Sequence, residues 1–230
     1  MKIETLPVTG RSPLGHEGFL AGLVWADTRK AGRLAWRAGA YGSVVPDPHV
    51  TLPEIDALVR RPEILNAVAK VIGPEIAVEG GFLMCKQPGA DFPVPWHQDG
   101  ISDRIELDPL RSVTLWAALT EATVDAGALQ VIPGSWQHGY LPYRREQTPG
   151  DGRGRALTTD VPPGSSEPVH VPVPAGQALL MDVRLLHRSG SNTAGWPRIG
   201  LNVRYVAPGA VTRRDGQPPA GLTPIAGASW

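Results

Sequence analysis

The amino-acid sequence predicts an α+β chain, mainly β, with helices first and a sandwich or barrel of short strands after them. Two observations carry this. Apolar residues recur at steps of three and four up to Pro74, and from there the period changes to two. Glycine and proline, 27 and 24 of 230 residues, are spread between apolar runs rather than clustered, which suits many short strands joined by turns.

In the first part, Phe19, Leu20, Leu23, Trp25, Leu34, Ala35 and Trp36 predict one or two amphipathic helices within 15–40. Residues 39–48 read as a loop. Thr51-Leu52-Pro53-Glu54 reads as a capping box, and Pro62 as the first turn of a further helix that stops near Gly73 and Pro74. Strands are expected over 76–86, 112–119, 128–132, 168–173, 177–183 and 198–206. Segments 89–95, 100–109 and 140–166 read as irregular, and the Gly-, Pro- and Ala-rich tail 208–230 as poorly ordered unless Trp230 docks. On this reading the chain is a single domain, with 1–75 mainly helical, 76–206 a strand core and 207–230 a tail.

Composition narrows the function. Basic and acidic residues balance at 22 each, so the chain shows no electrostatic footprint for nucleic acid or an anionic membrane. The single cysteine, Cys85, has no partner for an internal disulfide. No apolar run reaches the length of a bilayer span and the first residues lack a signal-like apolar stretch, so a cytoplasmic protein is expected.

The chemistry is expected at Trp96-His97-Gln98-Asp99-Gly100. In extended backbone, residues i and i+2 share a side, so His97 and Asp99 can reach one metal ion together. Six histidines and 22 acidic residues make one such pair by chance with odds of roughly 0.6, so the pair alone says little. A second cluster adds weight: His187 closes an apolar run, a polar turn through Asn192 follows, and Arg198 comes eleven residues later. That supplies a third ligand for a two-histidine, one-carboxylate site and a cation for a carboxylate. His16, His49, His138 and His170 lack such context and read as surface or loop residues. Along 198–206 the even positions Arg198, Gly200, Asn202 and Arg204 form a polar face, most simply the inner face of a barrel strand.

Three pieces, Trp96 to Asp99, Gly127-Ala128-Leu129-Gln130-Val131-Ile132-Pro133-Gly134-Ser135, and His187-Arg188-Ser189-Gly190-Ser191-Asn192 with Arg198, resemble the phytanoyl-CoA dioxygenase family of Fe(II)- and 2-oxoglutarate-dependent oxygenases. The likeness runs over about 51–205, in the family's order and spacing. It implies a double-stranded β-helix, the jelly-roll barrel of the cupins, with N-terminal helices packed on one sheet. It implies Fe(II) held by His97, Asp99 and His187, and 2-oxoglutarate and O2 as co-substrates. Arg198 then binds the distal carboxylate of 2-oxoglutarate, Ser189 matches a hydroxyl that contacts the same group, Trp116 lines the pocket with Thr114 beside it, and Phe82 aligns with an apolar wall. Lys86, Gln98, Asn202 and Arg204 are further candidates for substrate or co-substrate contact. The carboxylate of Asp99 fills the position that related halogenases leave open, so oxygenation of a small molecule is expected, as in natural-product tailoring. A CoA- or carrier-bound acyl substrate and a non-catalytic cupin-like metal module are the alternatives.

Overall fold

The computed structural model describes residues 12, 14–27, 29–31, 43–148, 155–217 and 221–230. Helices α1 (Pro48–Thr51), α2 (Pro53–Val59) and α3 (Pro62–Ile72) precede the long strand β3 (Ile76–Lys86), and strands β1 (Phe19–Val24) and β2 (Val44–Pro46) come before them. There follow β4 (Val94–His97), β5 (Ile105–Leu107), β6 (Ser112–Ala118), β7 (Leu129–Val131), β8 (Tyr143–Arg145) and β9 (Leu157–Thr159). The chain continues through β10 (Val169–Val171), β11 (Gln177–Met181), β12 (His187–Ser189), β13 (Arg198–Val206), β14 (Val211–Arg213) and β15 (Thr223–Ala226).

These strands build a jelly roll. A seven-stranded sheet runs β1-β11-β6-β13-β3-β15, with β2 also on β3, and a four-stranded sheet runs β10-β7-β12-β4. Alternation sorts the side chains into two layers. On one face of the large sheet, Leu83, Leu115, Leu180, Leu201, Val203 and Tyr205 pack under Ile55, Leu58, Val59, Ile64 and Val68 of α2 and α3. On the other face, Trp116, Ala118, Leu179 and Met181 meet Leu129, Val131 and Val171 of the small sheet, which makes the barrel interior. Ala77, Ile105, Leu107, Val183 and Val206 form a separate apolar cluster.

Helix α3 agrees with the sequence reading at both ends: proline opens it and Gly73, at φ 90, closes it. The capping box does not form. Thr51 ends α1, and α2 starts at Pro53 from Leu52, with no side-chain cap. Within 15–40, where one or two helices are expected, residues 29–31 are helical but Phe19–Val24 is strand β1, which pairs antiparallel with β11. Its apolar spacing fits a helix, but Gly22, at φ 85, sits in the irregular stretch between Leu20 and Leu23 that shifts the strand register, and the free edge of β11 supplies backbone partners. Leu34, Ala35 and Trp36 lie outside the described residues. Two strands of the large sheet, β1 and β2, thus lie beside the helices among the described residues up to position 75. His49, read as a loop residue, is buried in α1 against Thr223.

The tail is ordered by pairing. β14 lies against β5, and β15 against β3 at Val78 and Ala77. Within 140–166, β8 and β9 form a two-stranded ribbon.

Tyr205 ties the layers together: it is fully buried, and its hydroxyl donates to the carbonyl of Val59 at 3.0 Å. Tyr205→Phe leaves that carbonyl unpaired and is expected to lower the unfolding free energy by about 1 to 3 kcal/mol, read as a lower urea midpoint at unchanged slope.

Candidate active site

The two histidines come from adjacent strands of the small sheet. In the β12–β4 ladder His187 stands directly opposite His97, and their ring centroids are 4.1 Å apart. Asp99 follows β4 in a turn, and its two oxygens lie 3.6 Å from His97 Nε2 and 3.6 Å from His187 Nε2. One ligand atom from each of the three lies within 4.8 Å of the others.

The hydrogen bonds suit a metal. His97 Nδ1 lies 2.8 Å from the carbonyl of Pro95, and His187 Nδ1 lies 3.0 Å from that of Leu185. A carbonyl only accepts, so each Nδ1 carries the proton and each Nε2 turns its lone pair toward Asp99 and the common point. Burial opposes the charge on Asp99, but His187, His97 and Arg204 together outweigh it and keep the carboxyl ionised well below its usual range. Burial, reinforced by the charge of His97, pushes His187 down to about 4, so it stands neutral, as a ligand must. His97 is raised: burial disfavours its cation, and Asp99 overrides that.

The segments that deliver these ligands are tied to each other. Gln98 points away from the site and is not placed to touch a substrate. Its Nε2 donates to the carbonyls of Gly139 at 2.8 Å and Arg184 at 2.6 Å, and its Oε1 accepts the N–H of Leu141 at 2.8 Å. Arg184 is locked by a buried two-pronged pair with Asp182 and stacks on Trp136. Ser135, the last residue of the Gly127 to Ser135 motif, accepts the N–H of Leu186 at 2.8 Å, just before His187.

Across the interior, β13 carries the second half of the site. Arg198 is 1% exposed and lies 5.4 Å from the Trp116 ring. Its Nη2 donates to the carbonyl of Gly127 at 3.0 Å, while its Nε has no partner among the described residues. Burial pushes its pKa down to about 10, and among the described residues no carboxylate pairs with it. Gly127 is at φ 76, and a Cβ there would run into the carbonyls of Gly190 and Ser191. Gly200 has to be glycine for a different reason: a Cβ would overlap Trp116.

Lys86 is the register partner of Arg198 and is fully buried. Its Nζ donates to Ser189 Oγ at 2.8 Å and to the carbonyl of Gly190 at 2.5 Å. Ser189 is thus beside Lys86, with a hydroxyl proton still to donate. Asn192, buried in the turn between β12 and β13, donates to the carbonyls of Lys86 and Trp196 and so fixes this corner. The sequence reading used Asn192 only as part of a motif; its position before Arg198 in a polar turn was the available signal.

Asn202, Arg204 and Phe82 lie at the level of the ligands. Asn202 donates to Asp99, with Trp116 and Phe82 as its two register partners. Arg204 is paired with Glu79 at 2.6 Å and lies 5.9 Å from the Phe82 ring. Glu79 is the extra residue of a bulge between Val78 and Gly80, which turns it to meet Arg204. Glu79 was missed because an alternating count does not reveal a bulge. Thr114 stands opposite Arg204, six residues along β13 from Arg198, and its hydroxyl is fully buried with no partner among the described residues. It lies two residues along β6 from Trp116, on the same face of the strand, and away from Arg198. Phe82, Met84 and Arg204 are half-buried.

A jelly-roll barrel with two histidines and one carboxylate converging between its sheets, and a buried cation beyond them, defines a mononuclear metal-site protein of the cupin-like class. Residues 32–200 match the phytanoyl-CoA dioxygenase (PhyH) family, and the chain belongs to it. It is 26% identical over 171 residues to ectoine dioxygenase of Bordetella bronchiseptica, covering 68% of this chain and 54% of that one. It is 29% identical over 164 residues to a probable alpha-ketoglutarate-dependent hypophosphite dioxygenase of Stutzerimonas stutzeri, covering 71% and 56%. The chain thus spans about half the length of these curated relatives. Among solved structures, the apo form of the non-heme monooxygenase ThoJ superposes with a TM-score of 0.78 at 23% identity, over 93% of this chain and 82% of that one. The carbocyclase SnoK from nogalamycin biosynthesis gives 0.69 at 23%, over 92% and 93%. At these identities the structural likeness shows the fold.

Gln98→Leu removes three bonds to backbone groups that no other side chain is placed to satisfy. We expect affinity for Co(II), read by its visible absorption, to fall about tenfold or more, together with a lower melting temperature.

Proposed function

We propose that the chain is an Fe(II)- and 2-oxoglutarate-dependent dioxygenase that oxidises an unactivated C–H bond of a small molecule, most simply by hydroxylation, in a tailoring step of natural-product chemistry. One observation carries the reading. The metal-competent triad of His97, Asp99 and His187 shares the barrel interior with Arg198, a buried cation lacking a carboxylate among the described residues. A keto acid with a second carboxylate answers both features at once.

His97, Asp99 and His187 would hold the metal, each through one ligand atom. Arg198 takes the distal carboxylate through its fork, with the orphaned Nε as one prong and Trp116 as the floor. Ser189 and Lys86 add donors at the same end. Iron and 2-oxoglutarate, when bound, activate oxygen, and succinate and CO2 leave as co-products. Phe82, Met84 and the Arg204–Glu79 pair face the remaining space and receive the substrate. That wall mixes an apolar ring with a neutralised ion pair, which suits a compact polar molecule better than a long acyl chain. The family membership and the dioxygenase names of the relatives support the reaction class. The natural-product setting draws on the nogalamycin enzymes named among the structural neighbours.

The first experiment is oxygen-dependent conversion of 2-oxoglutarate to succinate by the purified chain with Fe(II), and its loss in His97→Ala and His187→Ala. Full turnover in either variant, with iron retained, removes the assignment.

Arg198→Ala is expected to raise the 2-oxoglutarate requirement by about ten- to a hundredfold, since a buried charge-assisted contact is worth about 1.5 to 3 kcal/mol. Arg198→Lys, which keeps charge but not the fork, should fall between the two. Unchanged co-substrate affinity in the alanine variant would take Arg198 out of the site. Asp99→Ala should keep weak iron binding through the two imidazoles and lose oxygenation, checked by anaerobic Fe(II) titration beside product analysis.

A further inference from the structure

Asp99 is the least constrained of the three ligands. His97 and His187 sit on paired strands with each ring pinned through Nδ1, whereas Asp99 sits in the turn after β4, outside the ladder. Its nearest donor on a strand is Asn202, whose Nδ2 donates to Oδ2 of Asp99 at 3.0 Å. An ionised carboxylate only accepts, so the amide nitrogen must face it. The amide oxygen of Asn202 has no partner among the described residues, so the bond to Asp99 is what orients the group. Asn202 is 7% exposed, in the middle of β13, flanked by Trp116 on β6 and Phe82 on β3.

The geometry points to Asn202 as the positioning residue that makes Asp99 a one-oxygen ligand. The amide engages Oδ2 and leaves Oδ1 as the better electron-pair donor toward the metal. This matters for coordination number. Two imidazoles and one carboxylate oxygen would use three ligand positions of a bound metal and leave the others for a keto acid and oxygen. A carboxylate binding through both oxygens would take one of those. The imidazoles do not do this work: each Nε2 lies 3.6 Å from the carboxylate, beyond hydrogen-bond distance, and is itself the atom that would face the metal. Arg204, held by Glu79, contributes charge behind the carboxylate but makes no hydrogen bond to it among the described residues. The sequence reading had placed Asn202 with substrate contacts, and this role rests on the metal-site reading above.

The test uses Asn202→Leu, of similar volume, and Asn202→Ala, with Co(II) as the probe. Expected are an affinity about ten- to a hundredfold weaker than the parent's, a changed visible spectrum of the Co(II) protein, and a metal-free melting temperature within a few degrees of the parent's. If the parent itself binds no Co(II), the metal-site reading fails. If the parent binds it and both variants bind equally well with the parent's spectrum, only the role of Asn202 fails. Variants that melt far lower without metal would make the amide a structural bond and also overturn the proposal.

Discussion

The interior of this protein is referenced to one strand. β13 is hydrogen-bonded on both sides along most of its nine residues, to β3 and to β6, so its side chains have almost no freedom of register. One face, through Leu201, Val203 and Tyr205, carries the helical layer, and the other presents Arg198, Gly200, Asn202 and Arg204 to the barrel. A slip of one residue would put the guanidinium under the helices and a leucine in the site. The apolar burial on the outer face therefore fixes the chemistry on the inner one.

Charge inside the barrel is treated in two ways. Asp182 with Arg184, and Glu79 with Arg204, are closed pairs whose partners neutralise each other where water is scarce. Arg198 is buried without such a carboxylate among the described residues, and Asp99 faces the two imidazoles at 3.6 Å with no cation in hydrogen-bond reach among the described residues. A buried charge without its counterpart is costly, and in these two places the counterpart is what a ligand brings. The closed pairs hold the architecture, and the open ones mark where a cation and a dianion fit.

The strand carrying His187 and the turn carrying Asp99 meet through backbone-directed amides and hydroxyls. Gln98 bridges to Arg184, Ser135 to Leu186, and Asn192 to Lys86. Such bonds set distances between segments remote in sequence, and they explain why the motif around 127–135 accompanies the ligands although it supplies none of them.

Much of this was legible in the residues. Alternation marked the long strands, Pro62 and Gly73 bounded a helix, and three short motifs that resemble a known family singled out His97, Asp99, His187 and Arg198, because period and short motifs are local properties that survive without a partner. What depended on a partner was not legible. β1 has helical spacing and became a strand because β11 offered an edge; the tail became β14 and β15 because β5 and β3 had unpaired backbone beside it. Gln98 and Asn202 look alike in sequence, as amides next to ligands or on a polar face. One points out to backbone carbonyls and the other in to Asp99, a division made only when two sheets close on each other and decide which groups each amide can reach.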